Sequence, residues 1–155
     1  MTIDKNNFYI ALWGLFLCVI LFLTGCGKES QEIVACKAET GETIQAVLDT
    51  KDDFHMKYTS GVLMVYQKKK LMMQIAFLDD KQRQAQVDHM REGNMSRVLK
   101  EEGKRISYER TDAQGLVNYF IFPVGEKTYA YGATYLPEEA AESVLQRMKW
   151  QAVKK

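Results

Sequence analysis

The sequence has almost no charge of either sign in excess: 21 Lys and Arg stand against 20 Asp and Glu. No strong field draws such a chain to nucleic acid or to an acidic surface, so nucleic-acid binding is not expected. Histidine is scarce, with His55 and His89 alone, and the cysteines are three, Cys18, Cys26 and Cys36. That inventory is too small for a Cys-rich zinc site and makes a His-based one hard to build. His55 follows Asp52-Asp53 and His89 follows Asp88, but the spacing gives the two no reason to meet. No metal or cofactor is expected. Nucleophile motifs are missing too. Neither Ser60-Gly61 nor Ser96 lies in a Gly-x-Ser-x-Gly elbow, and no Ser-x-x-Lys begins at Ser30, Ser107 or Ser143. The ten glycines are scattered and form no phosphate-cradling loop. The carboxylate pairs Asp79/Asp80 and Glu101/Glu102 fall at expected helix ends, where capping and solvation account for them. No catalytic residue is assigned. A non-enzymatic role is expected, with a hydrolase or metal-dependent enzyme as the lesser alternative.

Charge is lacking altogether over residues 8–23, an unbroken apolar run. It is shorter than the about 20 residues of a spanning helix and close to the apolar region of a cleavable export signal, about 7–15 residues long. Lys5 and the terminal amine precede it, opposed by Asp4. The run ends in Leu23-Thr24-Gly25-Cys26, which resembles the lipobox of bacterial lipoprotein precursors. The resemblance implies that residues 1–25 are a signal peptide, with Leu23, Thr24 and Gly25 read by the signal peptidase. It also implies that Cys26 carries a thioether-linked diacylglyceryl group and an amide-linked chain of the palmitate type. Each buried methylene contributes about 0.8 kcal/mol, so two or more chains anchor stably. The protein would then sit in the cell envelope, held to a bacterial membrane on its extracytoplasmic side. Lipidated Cys26 and residues 27–32 read as a polar tether.

The rest of the chain, 33–155, has the length of one domain and can bury a core without disulfides. With Cys18 in the signal and Cys26 lipidated, Cys36 is left unpaired. Its place in the alternating stretch 33–38 suits a buried strand cysteine acting as a small hydrophobe. Alternation and turn residues predict strands over 33–39, 43–49, 54–59, 62–66 and 71–78. Lys68-Lys69-Lys70 reads as the solvated tip of a bulged hairpin, or as part of one long strand, rather than a docking site. Residues 80–102 are mostly helix formers, with Val87, Met90, Val98 and Leu99 on an apolar stripe. Gly93-Asn94 predicts a kink there or two consecutive helices, and Gly103 a stop. Strands follow over 105–110, 116–124 and 127–136. Pro137 then opens a terminal helix that buries Ala141, Val144, Leu145 and Met148, and Trp150 closes the domain.

This order predicts an α+β fold, an antiparallel sheet covered by helices. It resembles the Mog1/PsbP-like domains of several small bacterial lipoproteins. The features that carry the likeness are the strand pair over 62–78, the helix from Asp80, the strand pair over 116–136 and the closing Leu136-Pro137-Glu138-Glu139…Met148-Lys149-Trp150 segment. The chain departs from that family at its start, because no proline occurs before Pro123. Fold likeness implies no function.

Aromatic residues crowd the last two strands: Tyr119, Phe120, Phe122, Tyr129, Tyr131 and Tyr135. Core packing with cross-strand pairs is one reading. The other is a partly open face of Tyr129, Tyr131 and Tyr135 that takes a protein partner or a small apolar ligand. The leading expectation is a lipid-anchored envelope protein with a binding or accessory domain. An envelope immunity lipoprotein that neutralises a toxic effector is the second.

Overall fold

The computed structural model describes residues 30–92 and 95–153. The expected signal peptide, Cys26 and the Gly93-Asn94 interruption lie outside the described residues. In chain order the elements are β1 (Gln31–Lys37), β2 (Thr43–Asp49), β3 (Phe54–Thr59), β4 (Val62–Gln67), β5 (Lys70–Leu78), α1 (Asp80–Glu92), β6 (Ser96–Glu102), β7 (Arg105–Asp112), β8 (Gly115–Pro123), β9 (Tyr129–Thr134), α2 (Glu138–Gln146) and β10 (Met148–Val153). The described strands form two sheets, ordered β1-β2-β10 and β3-β4-β5-β9-β8-β7-β6, and their pairings are antiparallel. The α+β class stands, with two sheets in place of the single one expected.

Local chemistry sets the turns. Ser60 (φ 51°) and Gly61 (φ 81°) both take left-handed backbone between β3 and β4, as a two-residue primed hairpin turn requires. The lysine run is a hairpin tip: Lys68-Lys69 separates β4 from β5, and a bulge falls at Val65/Tyr66. At the start of α1, Gln82 N–H donates to Asp79 Oδ1 at 2.7 Å, and Asp79 N–H to Gln82 Oε1 at 3.0 Å. This reciprocal pair satisfies two amides at the helix entrance.

Alternation along the strands divides the seven-stranded sheet into two faces. One face presents Met56, Leu63, Val65, Ile75, Phe77, Phe120 and Phe122 to the three-stranded sheet and to Ala141, Val144 and Leu145 of α2, forming the main core. Cys36 is fully buried there, as its alternation predicts. The opposite face carries a smaller core, in which Val87 and Met90 of α1 cover Ile106, Tyr108, Ile121 and Tyr129. Among the described residues, no helix is long and apolar enough to cross a membrane.

Three expectations are corrected. The helix over 80–102 ends at Glu92, and residues from Ser96 form edge strand β6, paired with β7 (Glu102↔Arg105). Val98 is therefore 44% exposed rather than buried, and Gly103 (φ 57°) sits in a hairpin turn, not a helix cap. Pairing across that turn overrides the helix preference of the segment, while Arg97, Lys100, Glu101 and a bulge at Val98/Lys100 keep the open edge from pairing further. At the far end, α2 stops at Gln146 and the chain returns as β10 against β2. Met148 thus begins a strand, and Trp150 meets Phe77 and Phe122 edge-on at 6.2 and 5.8 Å. Finally, β1 starts at Gln31, inside the expected tether, and Glu32 Oε2 accepts the Met56 N–H at 2.6 Å.

Candidate binding cleft

The tyrosines expected to form one open face have three different fates. Tyr129 is buried, its hydroxyl donates to Asp80 Oδ1 at 2.8 Å, and the Arg83 guanidinium lies 5.2 Å from its ring centre. It fastens α1 to β9 and is closed to any partner. Tyr131 is half-buried and belongs to a ladder across three strands. Tyr108 stacks on Tyr119 at 4.9 Å and Tyr119 on Tyr131 at 5.7 Å, with the Tyr108 and Tyr131 hydroxyls 3.3 Å apart. Burial pushes the Tyr108 and Tyr131 phenols upward, and for Tyr131 the bond to Tyr108 adds to the rise. Tyr108 and Tyr131 are therefore neutral at ordinary pH, and the ladder is a packing element. Only Tyr135 is open, 56% exposed just after β9.

Tyr135 stands beside a cleft created by unequal strand lengths. β9 ends at Thr134, opposite Asn118 of β8, and its pairing with β5 ends at Gln74. Beyond that point β5 and β8 flank an unfilled strand position, and strands two places apart in a sheet stand about 9–10 Å from each other. The gap is a cleft of about 380 Å³. Leu71, Met72, Met73, Val117, Tyr119, Ala133 and Leu136 supply its apolar lining, and Lys70, Gln74, Asp112, Gln114, Thr134 and Tyr135 its polar lining. Thr134 Oγ1 donates to Met72 O at 2.5 Å and accepts the Leu136 N–H at 3.0 Å, which pins the end of β9 to β5.

The Tyr135 hydroxyl lies 2.9 Å from Asp112 Oδ2 and 3.0 Å from Gln114 Oε1. Asp112 also accepts the Gln114 and Gly115 amides at 2.7 and 3.0 Å. The Gln114 amide, then the Tyr135 hydroxyl, hold its carboxyl below the ordinary range, and Asp112 in turn raises the Tyr135 phenol. The cleft thus combines apolar walls with an anion, a cation at Lys70 and neutral hydrogen-bonding groups. That mixture suits holding an apolar body with a polar end.

The other groups considered from sequence do not converge. His55 stacks on Tyr66 at 5.2 Å on β3, whereas His89 on α1 places Nε2 3.0 Å from Arg110 Nη1. Among the described residues, no three His, Cys, Asp or Glu side chains gather as metal ligands would. Burial pushes the Cys36 thiol up to about 11, the opposite of an activated nucleophile. Sequence reasoning reached Tyr135 and missed the rest of the cleft. Its one legible cue was Pro137, which cannot extend a strand pattern and restricts the residue before it, so β9 had to end early. No protein-family model, curated protein or solved structure matches the chain.

Proposed function

We propose that this chain is a lipid-anchored cell-envelope protein, held through Cys26 on the extracytoplasmic side of a bacterial membrane, whose domain binds rather than catalyses. Its ligand is a small apolar molecule, or an apolar side chain of a protein partner, seated in the cleft between β5 and β8. The lipobox Leu23-Thr24-Gly25-Cys26 supports the anchor. The observation that carries the binding role is the apolar-lined gap left where β9 stops short of its neighbours, with Tyr135 and Asp112 beside it. The finer fold reading is Mog1/PsbP-like. The successions β4-β5-α1 and β8-β9-α2 support it, while β6 and β10 stand outside the expected order.

Ala133 is half-buried on β9 and lines the cleft, so Ala133→Leu puts a larger side chain into that space. A fluorescent fatty acid should bind the wild-type protein and bind Ala133→Leu at least tenfold more weakly, with Val98→Leu on the exposed edge as control. Equal binding by all three proteins would remove the cleft as the site. Mass spectrometry of the mature N-terminus tests the anchor separately: a diacylglyceryl-modified Cys26 is expected, and an intact Met1 would refute it.

A further inference from the structure

We infer that the end of the domain from which the N-terminal segment departs is a lipid-facing surface, and that the Lys68-Lys69-Lys70 hairpin tip, with Lys51, rests on anionic headgroups. This rests on the anchoring reading, which brings a membrane to that end. The placement follows from backbone pairing. Ser30, the first described residue, accepts the Thr50 N–H at 2.6 Å, and Gln31 lies opposite Asp49. Lys51–Asp53 form a short 3-10 turn leading into β3, and the Lys68 N–H donates to Asp53 O at 2.9 Å. The departure point and the lysine tip are therefore joined through one turn, bonded on both sides. From Cys26 to Ser30 the chain spans at most about 15 Å, so a lipid on Cys26 holds this end within reach of headgroups.

The charges at this end are arranged unequally. Asp52 is taken up by Arg147 at 2.6 Å, Asp49 accepts the Lys51 amide at 3.0 Å, and Asp112 is held by turn amides and Tyr135. Lys51, Lys68, Lys69 and Lys70 are exposed, and none enters an ion pair with a described residue. Of the four aspartates named at this end, Asp52 has an ion-pair partner among the described residues and Asp49, Asp53 and Asp112 have none, so the four lysines exceed the unpaired carboxylates by one. Leu71, next to the tip and 39% exposed, adds an apolar contact. Basic residues beside an anionic leaflet are attracted within about one Debye length, roughly 8–10 Å. A run that reads from sequence as a solvated tip thus acquires a partner from its position. The cleft opens at this same end, since β5 and β8 both begin there.

The test uses the full mature chain with its anchor, purified in detergent and reconstituted into vesicles of phosphatidylcholine alone or with one third phosphatidylglycerol. Flotation with phosphatidylcholine reports the anchor, and lysine acylation read by peptide mass spectrometry reports the surface. Lys51, Lys68, Lys69 and Lys70 should be acylated at least threefold more slowly on the anionic vesicles. Lys37 and Lys127, at the opposite end, should react equally on both. Protection should vanish in Lys69→Glu/Lys70→Glu. Equal acylation of the tip on both vesicles, or equal protection of both ends, overturns the proposal while leaving the anchor intact. Flotation with anionic vesicles only would support the surface and overturn the anchor.

Discussion

Thr128 donates its hydroxyl to Glu42 at 2.5 Å, joining the β1–β2 hairpin of one sheet to the β8–β9 connection of the other. The same carboxylate accepts the Glu126 and Lys127 amides, each at 3.1 Å. Gly125 makes room for it, because a Cβ there would stand 2.6 Å from Glu42 Oε2. One side chain therefore satisfies three donors across the sandwich. The Thr128 bond lowers the Glu42 carboxyl below its ordinary 4.5, against the opposing effect of burial, with the two amides and Lys127 contributing further.

Replacing Glu42 by Ala should lower the unfolding free energy at pH 7 by about 1.5–3 kcal/mol, the range for hydrogen bonds to a charged group. Because the folded carboxyl titrates below the unfolded one, the stabilisation is complete above the unfolded value and disappears as pH falls through the folded one. Urea denaturation should show a gap between wild type and Glu42→Ala at pH 7 that shrinks toward pH 3. A gap that does not change with pH would dismiss the ionic account. Gly125→Ala should reproduce part of the loss by displacing the carboxylate.

The expected apolar stripe Val87, Met90, Val98 and Leu99 splits at the boundary between α1 and β6. Val87 and Met90 are 4% and 3% exposed against the sheet, while Val98 is 44% exposed on an edge. Truncating Met90 to Ala should cost about 2–5 kcal/mol, and Val98→Ala should stay within about 0.5 kcal/mol. Comparable losses at both positions in urea unfolding would mean that 96–102 packs as a helix after all.

That boundary marks how far the sequence could be read. Period-two alternation located most strands, and Asp79-Asp80 located the start of α1, because those signals lie within a few residues of what they specify. The state of Ser96–Glu102 depends on partners in β7 across Gly103-Lys104, so its helix-forming residues pointed the wrong way. The cleft was hidden for a different reason. No residue in it is unusual, and it exists because β9 stops at Thr134 while β5 and β8 continue. Of the tyrosines singled out, Tyr129 and Tyr131 share a side of β9 as their spacing requires, Tyr135 falls beyond its end, and spacing could not show the helix that covers Tyr129.

Cys36 should behave as a packing residue. Its thiol, pushed up to about 11 by burial, is on the order of a hundredfold less ionised at pH 8 than one at the ordinary 9.0. Alkylation by iodoacetamide in native buffer should be slower than in 6 M urea by about tenfold or more. Rapid native labelling would show that the two sheets separate readily at β1.

Tyr129 and Tyr135 offer the sharpest separation of packing from binding, since their chain positions made them look equivalent. Tyr129→Phe removes the hydroxyl that reaches Asp80 while keeping the ring under Arg83, and should destabilise by about 1 kcal/mol. Tyr129→Ser also removes the ring and should cost about 3 kcal/mol or more, with loosening of α1 visible as faster amide exchange over Asp80–Glu92. Tyr135 is exposed and its contacts lie at the surface, so Tyr135→Ser should leave the urea midpoint close to that of wild type. Its effect should fall on the cleft instead, weakening fatty-acid binding severalfold. If Tyr135→Ser destabilises as much as Tyr129→Ser and leaves binding unchanged, the roles assigned to the two residues are reversed.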